Sequence, residues 1–175
     1  MKLSKSDFYN WAYSDLLVNV NRGRFAEYIV ATALGIADTE RQEWEAYDLQ
    51  FQDIRIEVKS SAYIQGWNQH GKISKLVFGI RPTFAYDDNI ARYQDTSMRQ
   101  SDVYVFCVLK HTDHKTIAPE DMTQWEFYIV PTRLLNEKCP TQKTITLSAL
   151  KRLFNVSPVA YQDIKSEIVK SMKPA

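Results

Sequence analysis

Only two cysteines, Cys107 and Cys139, stand in the 175 residues, and they form no CxxC pair. That argues against a disulfide framework and against a zinc ribbon. Glycine is scarce, at five residues, and neither a GxGxxG loop nor a Walker-type phosphate loop occurs. A nucleotide-driven motor or a dinucleotide enzyme is therefore unsupported, and no nucleotide cofactor is expected. Charge of one sign is also missing: 22 basic residues face 21 acidic ones, for a net +1. Such a balance speaks against histone-like or coat-like binding through a global basic field, while leaving room for a local basic cleft. No 18-residue apolar run exists, and the opening MKLSKSDFYNWAYSD has no apolar leader core. A cytoplasmic protein without a membrane partner is the expectation.

What is present suits one globular domain over 1–175, with 45% apolar and 25% charged residues. An N-terminal helix is expected within 1–20, a core over 21–130 and a C-terminal helical extension over 131–175. Residues 5–19 read as a helix with Ser4 or Ser6 as cap. NRGRFAEYIVATALG is a clearer one: Asn21 can cap it, Phe25, Ala26, Ile29, Val30, Ala33 and Leu34 form an apolar stripe, and Gly35 can end it. Strands are expected at 46–51, 54–60, 74–80, 102–109 and 126–130, with 102–109 central because its run is β-branched and aromatic. A short helix is expected around 87–95. PTRLLNEK, LSALKRLF and AYQDIKSEIVKSM complete the helices, the first begun by a proline. The order predicts an α/β sandwich around a mixed sheet flanked by helices.

The first two strands hold unexpected charges. Along 54–59, Ile54, Ile56 and Val58 point one way and Arg55, Glu57 and Lys59 the other. A tight turn at Gln52 and Asp53 sets Phe51 against Ile54, Gln50 against Arg55 and Leu49 against Ile56, so that Asp48 faces Glu57. Opposed residues have Cβ atoms about 4.5–5.5 Å apart, where like charges are destabilising. Two carboxylates so placed need a cation, a shared proton or full solvation. Mg²⁺ takes oxygen ligands, typically one or two carboxylates plus waters and phosphates. Lys59 follows on the same face, within reach of a phosphoryl oxygen. The set suits metal-assisted phosphodiester hydrolysis. The plainer alternative is a wet hairpin face on which Arg55 and Lys59 neutralise the acids.

At these residues the sequence resembles the PD-(D/E)XK nuclease superfamily, with its restriction-endonuclease-like three-layer sandwich. The match is Asp48, then Glu57-Val58-Lys59 after a short hairpin, behind a helix carrying Glu27 in RGRFAEYIV. The family's core of helix, three-strand meander, helix and strand can be laid on residues 21 to about 109. The resemblance implies a Mg²⁺ site, with Mn²⁺ as substitute, ligated by Asp48, Glu57 and the Val58 backbone carbonyl. It further implies that Lys59 assists the attacking water or the developing charge, and that Glu27 supports the metal directly or through water. Tyr47 stands where the motif's proline would be, and no QxxxY element is secure, so restriction, recombination and repair branches stay open.

Other residues read two ways. Arg22 and Arg24, in the first turn of the second helix, are either exposed surface charges or DNA-backbone contacts. Ser60, Ser61, Tyr63, Gln65 and Trp67 offer hydroxyl, amide and ring groups to a nucleic acid, or pack. Arg99 precedes a central strand and is either groove lining or surface. His111 and His114 flank Asp113 in a loop with no further ligand to complete a metal site. The leading expectation is a Mg²⁺-dependent nuclease with DNA as partner, dimeric if it cuts duplexes. A non-catalytic nucleic-acid- or protein-binding module on the same fold is the alternative.

Overall fold

Every residue of Val103–Leu109 is buried, as a continuous apolar run must be when both faces of a strand are covered. The computed structural model describes residues 2–39, 41, 46–84, 86–87, 92–93 and 95–173. Its helices are α1 (Lys5–Tyr13), α2 (Asn19–Leu34), α3 (Thr132–Lys138), α4 (Leu147–Phe154) and α5 (Ile164–Ser171). Its strands are β1 (Leu49–Phe51), β2 (Ile54–Ala62), β3 (Val77–Gly79), β4 (Tyr86–Asp87), β5 (Arg92–Tyr93), β6 (Val103–Leu109), β7 (Trp125–Pro131) and β8 (Thr144–Thr146). The main sheet has the order β1-β2-β6-β7, with β2 and β6 parallel and the outer pairs antiparallel. It is the expected mixed sheet of an α/β sandwich.

Strand alternation sorts the core into two layers of contact. Ile56, Val58, Val103, Val105, Phe127 and Ile129 face α2 and α5, meeting Ala26, Ile29, Val30, Ile164 and Ile168. Tyr104, Phe106, Val108, Tyr128 and Val130 face the other way, under Phe78, Ile145, Leu135, Leu150 and Phe154. Each fully buried aliphatic or aromatic side chain contributes about 1.5–3 kcal/mol, which makes these faces the source of the sheet's stability.

Helix α2 sets the position of Glu27, so its ends matter. Gly35 takes φ 77° and closes the helix, its N–H donating to Thr32 O at 3.1 Å while Ile36 N–H donates to Ala31 O at 3.0 Å. This double bond pattern needs the left-handed residue that glycine supplies without a Cβ clash. The start differs from expectation. The helix begins at Asn19, and the Asn21 amide instead donates to Ala12 O and Asp15 O at 3.3 and 3.0 Å. Asn21 thus ties α1 to α2. The first helix stops at Tyr13 rather than reaching 19; its cap is Ser4, which accepts from Asp7 N–H.

Between β2 and β6 the expected meander and helix are replaced. The strand predicted at 74–80 forms only over β3, and it pairs antiparallel with β8, Phe78 opposite Ile145. It lies on the sheet's face, where the Phe78 and Phe106 rings meet edge-on at 5.1 Å. Where a helix was expected around 87–95, β4 and β5 pair antiparallel, and 88–91 and 94 lie outside the described residues. Within 131–173, β8 completes the ribbon, and Ile164 and Ile168 of α5 lie against the sheet. Among the described residues no helix is long and apolar enough to cross a membrane.

Candidate active site

The hairpin ladder runs as the alternation predicts: Phe51 opposite Ile54, Gln50 opposite Arg55 and Leu49 opposite Ile56. Gln52 turns the corner with φ 54°, and Tyr47 Oη donates to Gln50 Oε1 at 2.8 Å. At Asp48 the ladder slips. Its N–H donates to the Ile56 carbonyl at 3.1 Å, although Leu49 is already the partner of Ile56. Asp48 is therefore not paired with Glu57, and its carboxylate turns onto the edge of β2. There Oδ2 accepts the Val58 N–H at 2.8 Å.

The two acids converge all the same. Lys59 Nζ is in salt-bridge contact with Glu57 Oε1 and lies 3.9 Å from Asp48 Oδ2. All three side chains are half-buried, at 19–31% exposure, so solvent screens them only in part. Glu57 is held from behind by the Ser101 hydroxyl, which donates to Oε2 at 3.0 Å. Burial raises the Asp48 carboxyl, and Glu57 raises it further; Lys59 and the Val58 amide pull it back, leaving it at about 6. Burial opposes the charge on Lys59, yet Glu57 and Asp48 outweigh it and hold the ammonium above its ordinary value.

A hard cation would find oxygen donors here. Within a strand the N–H and C=O of one residue point to the same edge, so the Val58 carbonyl opens toward the edge where Asp48 lies. Among the described residues no group of three or more His, Cys, Asp or Glu side chains is gathered closely enough to hold an ion. Two carboxylates and a carbonyl could hold Mg²⁺ only if waters and phosphate completed its shell. Glu27 stands apart from them: Arg41 pairs with its carboxylate, Nη2 donating to Oε1 at 3.3 Å. It nonetheless shares the wall of one cavity of about 470 Å³ with Asp48, beside Arg24, Tyr28 and Tyr47.

A sequence model of the bacteriophage T4 endonuclease IV family matches residues 4–149. The chain belongs to that family. No curated protein matches it. The matched span contains Glu27, Asp48, Glu57, Lys59 and Ser101, and it runs from the start of α1 into α4. Membership in an endonuclease family gives the charged hairpin face a nuclease as its setting.

In this member of the T4 endonuclease IV family, several residues expected at a nucleic-acid surface are interior. Arg22 is 2% exposed and donates to Leu17 O and Gln65 Oε1, both at 3.0 Å, and to Asn19 Oδ1. Burial lowers its guanidinium to about 10. Gln65 is buried with it, donating to Ala62 O at 2.7 Å. Ser61 is buried too, its hydroxyl accepting Val77 N–H at 3.3 Å. Arg99 clamps Ile80 O, Asn136 Oδ1 and Cys139 O at 2.7–2.8 Å. All four side chains are buried and hydrogen-bonded within the fold. Arg24 and Ser60 keep partial exposure, Tyr63 packs at the edge of the second core layer, and Trp67 is exposed. Arg24 lies over the Tyr13 ring at 5.3 Å. His111 bonds Thr116 Oγ1 in an exposed loop, and Cys107 is a small core residue whose thiol burial pushes up. Ser101 and Arg41 escaped the sequence reading, since each meets its acid only through tertiary contact.

Proposed function

We propose that this T4 endonuclease IV family member cleaves DNA internally, with a Mg²⁺-dependent site of the PD-(D/E)XK type. One observation carries the reading: a single ammonium, Lys59 Nζ, touches Glu57 and lies 3.9 Å from Asp48 at one edge of the sheet. Two carboxylates focused on one point can hold a divalent cation there, with the Val58 carbonyl beside them. Bound there, Mg²⁺ or Mn²⁺ would neutralise the scissile phosphate and acidify a water.

The chain's own groups do the positioning. Val58 N–H holds the Asp48 carboxylate against the edge of β2. Lys59, beside both acids, would bring its charge to the phosphate and stabilise the negative charge that develops there. Glu27 adds negative potential at Asp48, and Arg41 pairs with its carboxylate. Arg24, on the cavity wall, and the partly exposed Ser60 contact the DNA backbone. Because one site faces one strand, duplex cleavage calls for two copies of the chain.

The test incubates labelled plasmid, linear duplex and single strands with the protein in Mg²⁺, in Mn²⁺ and in chelator, followed by end-group analysis. Metal-dependent internal cuts bearing 5′-phosphate ends are expected on at least one substrate. Metal-independent cleavage, or binding of every substrate with no cleavage, would overturn the proposal.

A further inference from the structure

We infer that Ser101 is a positioning residue for Glu57, and that Arg99 and Asp102 serve the site by holding Ser101 in place. The inference rests on the reading of Glu57 as a cation ligand. Ser101 lies just ahead of β6 and is 3% exposed, so its hydroxyl needs an internal partner. That partner is Glu57 Oε2, at 3.0 Å. The other oxygen, Oε1, is the one that meets Lys59. The hydroxyl therefore assigns the two oxygens separate tasks. One is anchored to the protein, and the other faces the point that Asp48 also faces. A carboxylate free to spin about its last torsion would divide its time between both.

The serine is fixed from both sides. Two residues before it, Arg99 donates to three acceptors on two segments: Ile80 O, and Asn136 Oδ1 and Cys139 O of α3 and its C-cap. One residue after it, Asp102 receives the Arg55 N–H at 2.9 Å, Nε at 3.0 Å and Nη2 at 2.7 Å, while Asp102 N–H returns a bond to Arg55 O at 2.8 Å. Arg55 sits two residues before Glu57 on β2. The bracing thus locks the serine's segment to the strand that carries its target. Outer groups that orient metal-ligating carboxylates commonly change metal affinity or activity about 10–100-fold when removed.

The experiment measures Mn²⁺ binding to the full chain by calorimetry without DNA, for wild type, Ser101→Ala, Ser101→Thr, Glu57→Gln and the Ser101→Ala/Glu57→Gln pair, with thermal melting in chelator alongside. Ser101→Ala is expected to weaken Mn²⁺ about 10-fold, Ser101→Thr to restore it, and Ser101→Ala to add no further loss once Glu57 is Gln. Ser101→Cys, a weaker donor of similar size, is expected to fall between and serves if the alanine variant does not fold. Unchanged Mn²⁺ affinity in Ser101→Ala, or a loss that persists undiminished in the Glu57→Gln background, would overturn the inference. If Glu57→Gln itself leaves Mn²⁺ binding intact, the reading of Glu57 as a ligand fails instead.

Discussion

The Val58 amide donates to the Asp48 carboxylate at 2.8 Å, across ten residues of sequence. Since β1 begins only at Leu49, that amide would otherwise lie unpaired at the edge of β2. A charge-assisted bond to an edge amide is a strong way to seat a side chain that must not rotate. The same seat places Asp48 near Glu57, and that proximity has consequences for stability.

Asp48 gains its proton more readily in the fold than in the open chain, with its carboxyl raised from 3.8 to about 6. In chelator its contribution is therefore fullest below about pH 4 and is lost as pH rises through about 6. Asp48→Asn keeps an acceptor for Val58 and removes the charge. It is expected to unfold at higher urea than wild type at pH 7.5, by on the order of 1–2 kcal/mol, with the gap closing near pH 4. A gap that widens toward acid would contradict the sign.

Lys59 neutralises two acids that crowd each other. Lys59→Met in chelator at pH 8 should lose roughly 1–3 kcal/mol of stability, since it leaves Asp48 and Glu57 half-buried without a cation. Mn²⁺ should then raise its melting temperature by more than it raises that of wild type. Equal increments in both proteins would show that the ammonium and the metal do not compete for the same point.

Arg99 belongs to the fold. Arg99→Met strands two buried carbonyls, Ile80 O and Cys139 O, and should cost about 2 kcal/mol or more in urea unfolding. The DNA affinity of the folded variant, measured by anisotropy in chelator, is expected to match wild type. A large fall in affinity with little change in stability would return Arg99 to a groove.

Arg24 is the opposite case, a cation at the cavity rim. Arg24→Gln should weaken DNA binding and flatten the slope of log affinity against log salt by about 0.7–0.9. An unchanged slope would assign Arg24 to a structural role.

Local rules carried much of this architecture. The hairpin register, from Leu49 opposite Ile56 to Phe51 opposite Ile54, was readable because period-two alternation and a two-residue turn leave one solution. The burial of β6 and the ends of α3 and α4 were readable for similar reasons. The slip at Asp48 was not, because nothing in the composition of YDLQF marks an extra residue at the end of a strand. β3 was legible as a strand but not as a member of a separate ribbon, since its partner β8 lies 65 or more residues away. The interior arginines failed for a related reason. Arg22 and Arg99 look like surface cations until Leu17, Gln65, Ile80 and Cys139 fold around them. Ser101 reaches Glu57 only through the parallel pairing of β2 with β6, which no short window of sequence contains.

Plasmid cleavage by wild type, Glu57→Ala and Lys59→Ala, each in Mg²⁺ and in chelator, bears most directly on the claim that Asp48, Glu57 and Lys59 form a metal-dependent cleavage site. Wild type should cut only with metal, and each variant should lose at least about 100-fold in rate while remaining folded. Cleavage that survives both substitutions, or proceeds undiminished in chelator, would contradict it.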